Sequence, residues 1–376
     1  MKIAILSTRG IPNNYGGFEQ FAEYISVGLV QKGHEVTVYS PMYHQYSSPC
    51  FNGVQIKHVY SPEPWLGGAI GSFFYDYLSL KDALLNDSFD IIYDCGYTSI
   101  IPAYIRFAVS KLKTSIIVTN MDGLEYKRTK FNPLVRSFIF WEEKQAVKLS
   151  HALIADNVGI QQYLKEKYNA NSEFIPYGAN VPAVFKETQL EPYCIKPEQY
   201  YLLIARMEPE NNIEMIIEGY INSISDKILV IIGNTNTKFG KKISKKYQSE
   251  HNIKFVGGIY KSEIIDALRH FSALYFHGHS VGGTNPSLLE AMAAQCLIAA
   301  HDNSFNRTTL NDNALFFTSP QDVAAIIKLP ENRLKEYRQN YTPLNLHSIN
   351  TTYTWENIVT KHEVFFKKLL ERTNTK

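Results

Sequence analysis

The sequence predicts an α/β protein built from two Rossmann-like, doubly wound parallel-sheet domains facing a cleft. Three observations predict it. Apolar runs of strand length alternate with helix-period segments from the first residues onward. A turn-rich stretch holding Pro176, Pro182, Pro192 and Pro197 interrupts that alternation once, after which it starts again. The length, 376 residues, is about two to two and a half times an ordinary domain.

Residues 3–7 read as a buried strand, and Phe21, Ala22, Ile25 and Leu29 then recur at helical spacing up to Gly33. Residues 36–39 make the next strand. A strand, helix and strand with this crossover length form a parallel unit, which continues through strands at 91–93, 115–118 and 152–154. After the proline-rich linker, strands are read at 201–205, 228–232, 253–256, 274–276 and 297–300, with a helix over 263–270. The expected domains are 1–181 and 182–352, with a last helical run from 353 onward. Ligands of such sheets sit beyond the carboxyl ends of the strands.

Composition narrows the partners. Hydrophobic residues at 45% and charged residues at 20% fit a fully folded chain. A net charge of +2 supplies no global field to recruit nucleic acid. Cys50, Cys95, Cys194 and Cys296 lack the spacing of a zinc site or a disulfide framework, which favours a reducing compartment. Met1 leads directly into a strand-length run rather than an export signal, so a cytoplasmic location is expected. The longest low-charge stretch, 65–75, has about half the residues a membrane crossing needs, so an integral protein is not expected, while a peripheral position against the inner face of a membrane stays open.

Two segments carry the chemistry. Gly16 and Gly17 stand where the chain turns from the long loop after the first strand into the first helix, and amides there favour a phosphate or a sugar oxygen; the plain alternative is a flexible turn. A dinucleotide-binding dehydrogenase would place G-x-G-x-x-G directly after the strand and an acid after the second strand, which here ends Tyr39-Ser40-Pro41. The second segment runs from His277 and Gly278 to Met292, from a strand end into a helix. Asn285 suits its N-cap and Pro286 its first turn, and uncapped amides beside Pro286 are expected to hold a pyrophosphate. Glu290, one turn in, is positioned to accept two ribose hydroxyl protons, against a plain role in offsetting the helix dipole.

With those residues in view, the chain resembles the retaining, GT-B type family-4 glycosyltransferases, and within them the rhamnosyltransferase-like members. The likeness covers nearly the whole chain and rests on Gly16-Gly17-Phe18-Glu19, Asp122-Gly123-Leu124-Glu125-Tyr126-Lys127-Arg128, Ile175-Pro176-Tyr177-Gly178-Ala179, Arg206-Met207-Glu208-Pro209-Glu210-Asn211-Asn212 and the 277–292 block. It implies a sugar-nucleotide donor held mainly by the second domain through His279, Gly283, Thr284, Asn285, Pro286, Ser287 and Glu290. It also implies an acceptor, a saccharide or lipid-linked glycan, held mainly by the first. No cofactor and no metal are required, and the last helix crosses back to the first domain.

Glu290 matches the second glutamate of the family's Glu, seven residues, Glu signature; the first falls on Gly282, so the usual carboxylate contact to the donor sugar is missing or supplied differently. Arg206 matches the arginine that pairs with diphosphate, as a planar guanidinium suits; its plain alternative is an ion pair with Glu208 or Glu210. The lysine that the family often adds is Asn211 here, with Lys238 or Lys241 as substitutes. Asp122 falls where many members carry a histidine near the reacting sugar, so Asp122 or Glu125 is the candidate to orient or deprotonate the acceptor hydroxyl, against an Asx-turn with Gly123. Glu19 is a weaker candidate for the same duty.

His277 and His279 share one strand face without a third metal ligand nearby, which suits hydrogen bonding in the cleft wall. Lys127, Arg128, Lys130 and Arg136 lead into a helix carrying Leu134, Phe138, Ile139 and Trp141, a basic rim beside an apolar face fit for a phosphate-bearing lipid acceptor or an anionic membrane. Two rival readings remain at this stage: a sugar-nucleotide epimerase of the same plan, and a degenerate nucleotide-sugar-binding scaffold.

Overall fold

The computed structural model describes every residue except Tyr15, Asp87, Lys113, Thr129, Lys130, Thr375 and Lys376; of Ala69, Thr373 and Asn374 it describes the backbone only. Lys130 of the expected basic rim therefore lies outside the described residues. The chain divides into two compact units, one of 1–126, 133–178 and 355–376, the other of 127–132 and 179–354.

In the first unit the strands are β1 (Lys2–Leu6), β2 (Glu35–Pro41), β3 (Cys50–Phe51), β4 (Val54–Val59), β5 (Ile91–Asp94), β6 (Ile116–Asn120), β7 (Ala152–Ala155) and β8 (Glu173–Phe174). They lie in the order β3-β4-β2-β1-β5-β6-β7-β8, parallel throughout except for the antiparallel β3–β4 pair. Central strands such as Ile-Ile-Tyr-Asp of β5 are wholly buried, as a sheet covered on both faces requires. β3, β4 and β8 escaped the sequence reading. β4 alternates buried and exposed residues only in Val-Gln-Ile and continues through a half-buried Lys-His-Val, whereas β3 and β8 are two residues each.

The helix Trp355–Asn374 belongs to this first unit. It lays Trp355, Ile358, His362 and Phe366, all buried, against Phe21, Tyr24 and Tyr93, with the Trp355 and Tyr24 rings stacked at 4.3 Å. His362 Nδ1–H donates to the Ile358 carbonyl, 2.8 Å away, and burial pushes its pKa down to about 4, so it is a neutral core ring.

The second unit holds β9 (Tyr200–Ile204), β10 (Ile228–Ile232), β11 (Ile253–Gly257), β12 (Leu274–His277), β13 (Ile298–His301) and β14 (Leu315–Phe317), all parallel, in the order β11-β10-β9-β12-β13-β14. Counted within the unit this is 3-2-1-4-5-6, so the winding reverses between β9 and β12, the place where doubly wound sheets receive ligands. Leu203, Ile216, Leu229, Phe276 and Phe317 form the centre of its core. In the first unit the corresponding reversal lies between β1 and β5.

Candidate functional site: the strand ends of the second unit

Two loops leave the sheet at the reversal and are stitched together. After β9, Arg206 presents an exposed side chain while its carbonyl accepts hydrogen bonds from the Glu208 amide (2.8 Å) and from Asn211 Nδ2 (2.7 Å). Asn211 Oδ1 faces His279 Nδ1 at 2.8 Å, and Asn212 Nδ2 donates to the Gly278 carbonyl at 2.8 Å. Ser280 donates its amide and its hydroxyl to the Glu210 carbonyl at 3.0 and 2.9 Å. From the far side, Asn303 and Asn306 donate to the His279 carbonyl at 3.1 and 3.0 Å. The approach is so close that a Cβ on Gly278 would stand 2.0 Å from the Asn211 carbonyl oxygen, so only glycine fits.

Asn211 therefore does not act as a shortened lysine. Its amide fastens the Arg206 carbonyl to the His279 ring. Arg206 is not tied to Glu210, as the plain alternative had it; Glu210 lies instead 3.5 Å from Arg128 Nη1, which the stretch 127–132 carries into this unit. Lys238 and Lys241 are exposed on the helix Lys238–Lys246, whose cap residue Thr237 reaches the Met207 carbonyl at 3.2 Å.

The histidines are neutral. Burial, the Arg269 charge and His301 push His277 down to about 3, and its Nε2 is a buried atom without a hydrogen-bond partner. Burial, His277, Arg128 and Arg206 hold His279 well below the usual imidazole range. The two ring centroids stand 6.2 Å apart with the planes tilted by 59°. Gly282 has φ +129°, which L side chains rarely adopt, and a Cβ there would meet His279 Nε2 at 3.2 Å. The glycine at 282 thus has a structural reason: the loop has a shape that a larger residue would strain, and His279 fills the space above it.

The helix Pro286–Ala293 begins as the sequence predicts, with Asn285 Oδ1 accepting from the Ser287 amide at 2.9 Å and Pro286 in the first turn. That cap corrects another expectation. The Ser287 amide is used by Asn285 Oδ1 and the Leu288 amide by the Asn285 carbonyl, while Pro286 has no N–H, so the turn next to Pro286 does not offer uncapped amides.

Glu290 stands one turn into this helix, and its Oε2 accepts from Arg269 Nη2 at 2.7 Å. Sequence reasoning missed Arg269. Among the described residues it is the largest fully buried side chain, at 2% exposure, and it reaches Ser287 Oγ at 3.0 Å and Asp266 Oδ1 at 3.5 Å. Burial works against its charge, but Glu290, Tyr275 and Asp266 more than offset this and hold it protonated. Burial raises Asp266 to about 6, with Arg269 opposing. Glu290 itself remains 37% exposed, so the arginine fixes one carboxylate oxygen while the side chain still meets solvent. An arginine at the end of the helix Ser262–His270 reads as a surface charge in sequence; its partner is 21 residues away.

The remaining candidates lie in the first unit or on the 127–132 stretch. Gly16 caps the helix Gly17–Gln31 in an extended conformation without a side-chain cap. Glu19 is buried, and its Oε1 accepts from the Arg9 amide at 3.0 Å, which closes the loop onto its own helix; this is a structural duty. Beside the loop opens a cavity of about 240 Å³ lined by Arg9, Asn14, Tyr43, His44 and Gln45. Asp122 follows β6 and is half-buried, 3.7 Å from where a Cβ on Gly96 would stand, and Glu125 opens the short 3-10 helix Glu125–Lys127. Lys127 is exposed.

Residues 185–342 match the family described as "Glycosyl transferases group 1", and residues 1–180 match one described as "Domain of unknown function (DUF1972)". No curated protein matches the chain. Among solved structures it is similar to sucrose-phosphate synthase from Thermosynechococcus elongatus, at 14% identity over 99% of both chains with a TM-score of 0.79. It is also similar to Anabaena HepE in complex with UDP, at 12% identity over 98% of this chain and 100% of that one, TM-score 0.70. The catalytic domain of starch synthase IV from Arabidopsis thaliana, bound to ADP and acarbose, is similar at 13% identity over 98% and 99%, TM-score 0.72. Residues 185–342, within the second unit, thus match the group 1 glycosyl transferase family, and the two Rossmann-like sheets match the fold of GT-B glycosyltransferase structures.

Proposed function

We propose that the protein is a retaining hexosyltransferase of family 4, in its rhamnosyltransferase-like subgroup. It moves rhamnose or another deoxyhexose from a nucleoside-diphosphate sugar to a saccharide or lipid-linked glycan during polysaccharide biosynthesis, in the cytoplasm and peripheral to the inner face of the membrane. In this reading residues 182–352 bind the donor, and residues 1–181 with 353–376 bind the acceptor. The observation that supports it is that Arg206 and the loop leading to the Arg269-braced Glu290 follow β9 and β12, the two strands at the winding reversal of the second sheet. That two structural neighbours hold UDP and ADP supports a nucleoside diphosphate as the donor's leaving part.

Arg206 and the loop amides of Gly283 and Thr284 neutralise the diphosphate as the bond from the sugar carbon to its oxygen breaks. Arg128, near enough to His279 to lower its pKa, adds the positive charge that Asn211 lacks. The Glu290 oxygen not held by Arg269 accepts from the ribose hydroxyls. Neutral His279, above Gly282, meets the donor sugar where the family's first glutamate would. The acceptor hydroxyl, oriented or deprotonated by Asp122 or Glu125 with Lys127 on its rim, adds to the face the diphosphate leaves, which retains configuration. Gly16 and Gly17 bring backbone donors from the acceptor side.

The test is incubation of the purified protein with a panel of nucleoside-diphosphate sugars, with and without saccharide acceptors, followed by NMR of the product's anomeric proton. A glycoside of unchanged configuration is expected. An inverted product overturns retention, conversion of donor alone to an epimer makes the protein an epimerase, and tight binding without transfer makes it a scaffold.

A further inference from the structure

The first unit turns apolar side chains outward on three neighbouring helices. In the helix Gly68–Leu85, residues 70, 74, 77 and 81 fall on one stripe, and Ile70 and Phe74 are 53% and 52% exposed. In the helix Pro133–Leu149, residues 134, 138, 141 and 148 form another stripe, with Leu134 at 83% exposure and Phe138 and Trp141 also exposed. Ile105 of the helix Ile101–Arg106 is exposed as well. The stripes adjoin: Phe73 meets Phe138 edge-on at 6.0 Å, and Tyr77 meets Phe107 at 5.4 Å. Trp65, in the short helix Glu63–Leu66 before the first of these helices, is 84% exposed. Outward apolar stripes on adjacent helices mark a surface that is covered by something.

The charges say what covers it. Lys81, Arg106, Lys111, Arg136, Lys144 and Lys148 are all exposed on these segments. Their carboxylates are withdrawn: Asp76, Glu142 and Glu143 are buried, Glu63 pairs with Arg9 at 2.6 Å, and Asp82 pairs with Lys57 at 2.5 Å. Among the described residues the face is therefore apolar, aromatic and of one sign. A second copy of the chain is disfavoured, because a two-fold contact would press cations against cations. Aromatic and aliphatic side chains that enter the headgroup boundary, ringed by lysine and arginine, match an anionic bilayer. Among the described residues no helix is long and apolar enough to cross a membrane.

We infer that the face formed by the helices Gly68–Leu85, Ile101–Arg106 and Pro133–Leu149 is a docking surface for an anionic phospholipid bilayer. The inference deepens the peripheral placement proposed above and is independent of which sugar is transferred. The surface holds the first unit, with its acceptor side, at the lipid headgroups.

The test is flotation of the full chain with vesicles of phosphatidylcholine alone or with one quarter phosphatidylglycerol, at 50 and 500 mM NaCl. Wild type should bind the anionic vesicles at least about tenfold more tightly and lose that preference at high salt. F74S/L134S, at two exposed positions, should weaken binding about tenfold or more, and K81Q/R106Q/K144Q about fivefold per charge removed. The melting-temperature rise on adding UDP or dTDP reads the donor site separately and should be unchanged in both variants. Equal binding to both vesicles, or variants that bind like wild type, overturns the inference. Self-association in sedimentation that F74S/L134S abolishes would also overturn it and make the occupant a second copy.

Discussion

Replacing Glu290 with Ala tests the donor site at its best-braced point. The carboxylate has one oxygen 2.7 Å from Arg269 Nη2 and is 37% exposed. A hydrogen bond to a charged group is worth about 1.5 kcal/mol at the low end suited to a partly exposed carboxylate, so losing two in E290A should weaken nucleoside-diphosphate binding about 150-fold. E290Q, which keeps one acceptor, should cost about fivefold. The folded state also suffers, because Arg269 loses a partner. Ser287 and Asp266 remain beside it and water screens the exposed side of the pair, so the loss is about 1–2 kcal/mol of stability and leaves the protein folded at room temperature. Calorimetric titration should use UDP and dTDP alongside their 2′,3′-dideoxy counterparts. If Glu290 reads the ribose, the E290A penalty falls below about twofold with the dideoxy nucleotides, since the contact is already gone. An equal penalty on both nucleotide types would refute the ribose assignment and leave Glu290 a brace for Arg269; no penalty on either would refute any contact with the nucleotide.

Three further outcomes are expected. Gly278→Ala sets a methyl group 2.0 Å from a backbone oxygen and should lower stability by about 3 kcal/mol while loosening Arg206 and His279, read by denaturant unfolding and by loss of the nucleotide-induced melting shift. The first unit should lose stability as pH rises. Burial lifts Asp76 to about 7 and Asp94 and Glu142 to about 8, so between about pH 4 and those values the folded state holds protons that the unfolded chain has released. Each such proton lowers stability by up to about 1.4 kcal/mol per pH unit, and urea unfolding from pH 6 to 9 that is flat or strengthens would contradict those buried acids. Below pH 6.5 the neutral His362 acts in the opposite sense, with stability lost as pH falls toward its folded value of about 4. Finally, a chain ending at residue 354 removes the buried Trp355, Ile358, His362 and Phe366 from the first unit, and limited proteolysis should then digest residues 1–178 while the second unit resists.

Much of this was legible before any coordinates. The 2.0 and 3.6 periods of the buried segments locate the main strands to within a residue or two, because a parallel sheet covered on both faces must be continuously apolar there. Local grammar worked equally well at the 285–290 turn, where Asn and Pro are adjacent in sequence and in function. It failed where partners are distant. Arg269 became part of the site only through Glu290, and the duty of Asn211 depends on the Arg206 carbonyl and the His279 ring, neither of which spacing reveals. The short edge strands β3 and β8 were invisible, since two residues carry no period. Glu19 shows the converse: an acid beside two glycines invites a catalytic role, yet its carboxylate is engaged with the Arg9 amide.

The central claim is that the strand ends at β9 and β12 grip a nucleoside diphosphate. A crystal structure of the protein grown with UDP or dTDP tests it most directly. The account predicts the diphosphate against Arg206 and the 282–285 loop, with both ribose hydroxyls on Glu290. A nucleotide bound elsewhere, or bound there with Arg206 turned to solvent, would contradict it.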